Sequence, residues 1–293
     1  MKILITTDGS KNAENAAQLV ARLPHDEQLE ITILYANNLI DFHGVQTAAE
    51  VLQQCQEEDR KRGADSCLRI AKMFEGSNAS VTSKVVEGHP SVTIVQQAEE
   101  LAVDLVVMGA VGLSRLERIV LGSTSDFVAT HAPCSVLVVR PQLTEELKLH
   151  EPRVCIAYDN SETCKAAING FSQFAWVKKT AIDLLSIIPT PFIYSDIPIQ
   201  IDRSASQQAA MSQLDSGIAL CARISPKVKT HLIESDYVGD GIVKFAREHS
   251  SDMVVLGDTG RGLLGRFFLG SVSRYVLRHA ECSVWIGRLK KGS

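Results

Sequence analysis

Aromatic residues make up only 5% of this 293-residue chain, and its formal net charge is only −4. A base-stacking surface needs several rings, and bulk binding to nucleic acid or an anionic membrane needs a surplus of Lys and Arg. Neither is present, so neither partner class is expected. No apolar run reaches the ~20 residues that cross a bilayer. The N-terminus opens directly on the strand-like Lys2-Ile-Leu-Ile5, with no signal-peptide pattern, and a cytoplasmic location is expected. Cys55, Cys67, Cys134, Cys155, Cys164, Cys221 and Cys282 form no C-x-x-C pair and no Cys/His cluster with zinc spacing. They read as reduced, mostly packed thiols, and no metal site built by the protein is expected. A G-x-x-x-x-G-K-[ST] loop is missing too, which disfavours a P-loop motor or kinase.

What is present begins with an apolar content of 45% and a charged content of 22%, the composition of a packed globular protein. The length is enough for two domains, and an internal repeat divides it that way. Gly109-Ala-Val-Gly112, nine residues and Gly122-Ser123 recur as Gly257-Asp-Thr-Gly260, nine residues and Gly270-Ser271. Gly257, Gly260 and Gly270 each lie 148 positions after their counterparts, as do Asp252 after Asp104, His279 after His131 and Cys282 after Cys134.

Each copy starts from a β-branched apolar run, Leu105–Met108 or Met253–Leu256, which reads as a buried parallel strand. Glycine past a strand permits positive φ and close approach of backbone to a ligand. Gly122-Ser123 and Gly270-Ser271 then open helices running to about His131 and His279. A helix start offers unpaired N–H groups and the positive end of the dipole, so strand, glycine turn and glycine–serine helix start together describe a phosphate cradle. The plain alternative is a tight turn followed by a serine-capped helix. Repetition at a fixed spacing favours the cradle.

Along the chain, strands are expected at 2–6, 29–36, 81–86, 105–108 and 135–139, and helices at 12–23, 47–74, 90–102 and 123–131. Pro90 suits the first position of its helix, where a missing N–H costs nothing. Residues 141–152, polar and bounded by prolines, read as a linker, giving domains at 1–141 and 153–293 around a linker at 142–152. The second half is expected to place strands at 154–158, 182–188, 227–233, 253–256 and 283–286, and helices at 162–176, 205–224, 242–249 and from 271. Strand–helix alternation predicts an α/β fold: two tandem doubly wound, Rossmann-like domains, each a five-stranded parallel sheet with helices on both faces. Ligands of such sheets bind where the strand order reverses. If the first and fourth strands flank that point, Asp8 meets the cradle in the first half.

These residues make the chain resemble a tandem universal stress protein of the UspA-type superfamily over nearly its whole length. Both copies carry the glycine pattern of the nucleotide-binding members, Asp8 and Asp159 match the aspartate after the first strand, and Gly88-His-Pro90 matches a G-x-P turn that Val238-Gly239-Asp240 lacks. The resemblance implies adenine nucleotide (ATP, ADP or AMP, with or without Mg2+) as ligand and a stress sensor or adaptor with a downstream protein partner. It gives Asp8 and Asp159 the adenosine contact, Thr7 and Tyr158 a place lining the site, and Ala36 and Ile187 the cover over adenine. Ribose and phosphates fall to Gly109, Val111, Gly112, Gly122, Ser123, Thr124 and Ser125, and in the second copy to Gly257, Thr259, Gly260, Gly270, Ser271, Val272 and Ser273. Tyr158 is bulky and Asp258 would repel phosphate if it pointed inward, with Arg261 to oppose it. The resemblance also implies pairing of the two fifth strands, Val136–Val139 and Val284–Ile286, as a dimer mimic within one chain, with further homodimerisation left open. Slow nucleotide hydrolysis assisted by Asp8, and an interaction protein with an empty cradle, remain the alternatives. His131 and His279 read as helix-end caps, the run 57–62 as a solvated helix face, His89 as a turn residue, and Trp176 and Trp285 as packing residues.

Overall fold

A computed structural model of the protein describes residues 1–23, 25–37, 49–111, 121–140, 151–174, 180–190, 204–260 and 269–289. Side chains in the helices starting at 49 and 204 are described from 53 and 207. Gly112, Arg261, Trp176 and linker residues 142–150 lie outside the described residues.

The first half runs β1 (Lys2–Thr7), α1 (Lys11–Arg22), β2 (Leu29–Asn37), α2 (Ala49–Lys72), β3 (Ala79–Glu87), α3 (Pro90–Glu100), β4 (Leu105–Gly109), α4 (Ser123–His131) and β5 (Ser135–Val139). The second half runs β6 (Arg153–Ala157), α5 (Glu162–Phe171), β7 (Ala181–Pro189), α6 (Ser204–Cys221), β8 (Val228–Ser235), α7 (Val238–Glu248), β9 (Met253–Gly257), α8 (Ser271–His279) and β10 (Ser283–Gly287). All strand pairs within a half are parallel. The order β3-β2-β1-β4-β5-β10-β9-β6-β7-β8 forms one ten-stranded sheet. In each half the chain winds outward from the first strand and then reverses to the fourth, so the reversal falls between β1 and β4 and between β6 and β9.

The halves join where β5 and β10 pair antiparallel, with Val136, Leu137 and Val138 opposite Ile286, Trp285 and Val284. These strands are buried along their whole length, as continuous apolar runs require. One core layer carries Ile3, Ile5 and Ile33 together with Ile156 and Trp285. The other carries Leu4, Val106 and Val136 with Cys155, Val254 and Val284. Both layers draw on both halves, so the hydrophobic core is continuous across the seam. Trp285 packs there edge-on against Phe171 and Phe174, at ring-centre distances of 5.8 and 6.1 Å.

The expected second-half helix at 242–249 begins earlier, at Val238 behind Tyr237. Gly239 and Gly241 therefore sit inside the first turn of α7 rather than ahead of it. Packing explains them: a Cβ on Gly239 would come within 3.0 Å of the Tyr275 side chain, and one on Gly241 within 2.9 Å of Ile187 Cδ1. The helix expected to reach Trp176 ends at Phe171 with Ser172 as its C-cap.

Candidate functional site

The turn after β1 is fixed by local hydrogen bonds. Asp8 Oδ1 accepts the Ser10 N–H at 3.0 Å, and Ser10 Oγ accepts the Ala13 N–H at 3.2 Å, capping α1. Gly9 between them takes φ +82°, a conformation glycine adopts at little cost. The second half repeats the device, with Asp159 Oδ1 on the Ser161 N–H at 2.9 Å and Ser161 Oγ on the Cys164 N–H at 3.2 Å. Asn160 stands where Gly9 does, at φ +63°, and Asn tolerates that region better than most residues.

The glycines that end β4 and β9 answer to helix packing as well as to any ligand. A Cβ on Gly109 would lie 3.0 Å from the backbone of Asn12, and one on Gly257 would lie 2.8 Å from Cys164 N. The turns are pinned to the first helix of each half: Asn12 Nδ2 donates to the Val111 carbonyl at 2.9 Å, and Thr163 donates to the Thr259 carbonyl. Ser125 and Ser273 are committed too, donating to the carbonyls of Gly109 and Gly257 at 2.9 and 2.7 Å. Gly122 N–H bonds the Ala110 carbonyl at 2.8 Å, and a side chain at Gly122 would meet that carbonyl oxygen at 3.3 Å.

What remains is the start of α4. Gly122 is its N-cap and brings no side-chain hydrogen bond, unlike Ser10 at α1. The opening amides of α4, joined by the hydroxyls of Ser123 and Thr124, therefore face a cavity of about 530 Å³. That cavity opens at the strand reversal. Thr6, Thr7, Asp8 and Ser10 form its floor at β1, Leu34 and Ala36 its β2 side, Pro90 and Ile94 its α3 wall, and Met108, Gly109 and Val111 its β4 side.

The family model for the universal stress protein family matches residues 1–140 and 152–288. The chain belongs to the universal stress protein family. A universal stress protein of Methanocaldococcus jannaschii is 33% identical over 141 residues, 47% of this chain and 81% of the relative. One of Mycobacterium tuberculosis is 25% identical over 297 residues, 98% of this chain and 96% of the relative. The crystal structure of a universal stress protein from Archaeoglobus fulgidus shares the fold, with a TM-score of 0.67 over 98% of both chains at 21% identity.

Within this tandem universal stress protein fold, the expected site residues separate by half. Thr7, Asp8, Ala36, Gly109, Val111, Gly122, Ser123, Thr124 and Ser125 share the one cavity. The Thr7 hydroxyl itself turns to Ser66 of α2, 2.8 Å away. In the second half Tyr158, Asp159, Ile187, Gly257, Thr259, Gly260, Val272 and Ser273 line a pocket of about 120 Å³. Gly270 and Ser271 are not among its lining residues. Tyr158 lines this pocket and is also tied to the helix behind it. The ring packs on Gly217 of α6, its hydroxyl pairs with Ser216 at 2.8 Å, and burial pushes its pKa up. Asp258 points away from the pocket: Arg288 Nε donates to it at 3.2 Å.

Residues the sequence reasoning passed over are Thr6, Ser10, Leu34, Ile94 and Met108, all lining the larger cavity. Strand period would have found two of them. Thr6 pairs with Leu34 in register, and each lies two residues before Asp8 or Ala36, hence on the same face. His131 and His279 do sit at helix ends, each ring Nδ1 2.8 Å from a carbonyl one turn back.

Proposed function

We propose that the first half binds an adenine nucleotide and that the protein acts in the cytoplasm as a sensor or adaptor in a stress response. The observation that supports this is the uncapped start of α4 facing Asp8 across a cavity of about 530 Å³ at the strand reversal. That volume falls in the range of about 300–1,000 Å³ typical of small-molecule sites. Leu34, Ala36 and Ile94 offer apolar surface for a base on the β2 side. Ser123, Thr124 and the first amides of α4 offer donors for phosphate on the β4 side. One solved universal stress protein is in complex with cAMP.

Binding is favoured over hydrolysis by the lining itself. Among the described residues, the lining holds one carboxylate, Asp8, and no Lys, Arg or His. Calorimetric titration with ATP, ADP and AMP, with and without Mg2+, tests the reading. Saturable heat is expected; silence at millimolar nucleotide would remove the ligand and leave the fold.

A further inference from the structure

The two halves repeat the same backbone but not the same cavity. Strand and helix register align Thr6 with Ala157, Ala36 with Ile187, Pro90 with Val238 and Thr124 with Val272. At two of these positions a hydroxyl is lost, and at Ala36 an isoleucine takes the place of a methyl group. Ala157, Ile187, Val238 and Val272 all pack against the second hydrophobic layer, which none of their first-half counterparts joins. Ile187 is laid across the pocket toward α7, where Gly241 leaves room for its Cδ1. The outcome is a pocket of about 120 Å³ in place of about 530 Å³. That lies below the range of about 300–1,000 Å³ that small-molecule sites occupy.

From this we infer that the chain takes up a single nucleotide, in the first half, and that Ala36 and Thr124 are the positions that decide occupancy. The inference rests on the nucleotide reading above. The second half keeps the aspartate and the glycine turn but lines the base and phosphate walls with half-buried aliphatic side chains that pack on the core. Its retained glycines are explained without a ligand, because Gly257 and Gly270 sit where a Cβ would meet backbone of Cys164 and Asp258.

The test is calorimetric stoichiometry on the full chain with the nucleotide that binds best, for the native protein and for the double substitution Ala36→Ile with Thr124→Val. That variant carries the second half's own residues into the first, and its thermal melt reports whether it folds. One equivalent for the native chain and no binding by a folded variant are expected. Two equivalents, or one equivalent persisting in the folded variant, would overturn the inference while leaving nucleotide binding intact. No heat from the native chain would overturn the nucleotide reading and this inference with it.

Discussion

Arg288, at the end of the second half, places its Nε 3.2 Å from Asp258 Oδ2 while its guanidinium donates to carbonyls of Ala129, Thr130 and Ala132 in the first half. Those carbonyls close α4, the helix whose opposite end faces the large cavity. A cation at a helix C-terminus satisfies carbonyls that have no partner within the helix and complements the dipole. Burial lowers the Arg288 pKa and Asp258 pulls it back up. Arg140 is its counterpart from the first half, donating to the Leu277 carbonyl of α8 at 3.2 Å. Each half thus caps the other's cradle helix.

Replacing Arg288 with alanine removes a buried cation and takes from Asp258 its charged partner, leaving it the Thr259 hydroxyl, so unfolding stability should fall by about 3 kcal/mol. The contrast is Arg278→Ala. Arg278 pairs with Asp126 across the same seam at 2.9 Å but is half exposed, and its loss should cost under about 1 kcal/mol. Urea denaturation of both variants checks the ranking; equal losses would mean that the buried capping carries no special weight.

Asp8 has two duties that substitution can separate. Its Oδ1 holds the Ser10 amide, and in the proposed complex the carboxylate recognises the nucleoside. Asp8→Asn keeps an acceptor for the turn and removes the charge, so the thermal midpoint should hold while nucleotide affinity drops by about tenfold or more, the low end of the ~1.5–3 kcal/mol of a hydrogen bond to a charged group. Asp8→Ala should lose both. An Asn variant that binds as tightly as the native chain would take the carboxylate out of recognition.

The thiols predict an alkaline limit. Burial pushes Cys67 up to about 11 and Cys221 up to about 12. An unfolded thiol titrates near pH 8.5, so from there upward the unfolded chain releases protons that the folded chain retains. Stability from these groups is complete below about pH 8.5 and falls as pH rises through the folded values. The urea midpoint in reductant should therefore drop between pH 8 and pH 10.5 (a window set by about those thiol values), and Cys67→Ala with Cys221→Ala should flatten the slope. Brief iodoacetamide treatment at neutral pH should modify exposed Cys55 and spare Cys67, Cys155, Cys164 and Cys221. Rapid labelling of the buried set, read by mass spectrometry, would contradict the packing.

The repeat made the fold legible, because Leu105–Met108 and Met253–Leu256 are unbroken apolar strands and each is followed by the same glycine spacing. Strand order alone could bring Asp8 to the glycine turn that ends at Gly122, whereas Ala36 came from the family resemblance. The contrast between the halves could not be read that way. It depends on Ile187, Val238 and Val272 jointly filling a volume, and each is an ordinary aliphatic residue when taken singly. The direction of Asp258 could not be read for a related reason: its partner Arg288 is 30 residues away. Glycine lowers helix propensity, so Gly239 and Gly241 inside α7 need another cause, and contacts with Tyr275 and Ile187 supply it.

The antiparallel β5–β10 pairing has a consequence for how the protein behaves at low abundance. Two separate chains joined through such strands would come apart on dilution, whereas strands in one polypeptide meet at an effective concentration set by the tether. Cradle helices that depend on each other's arginines then stay supported however few molecules the cell holds. With the central strands mutually occupied, β3 and β8 are left as the outer margins of the sheet.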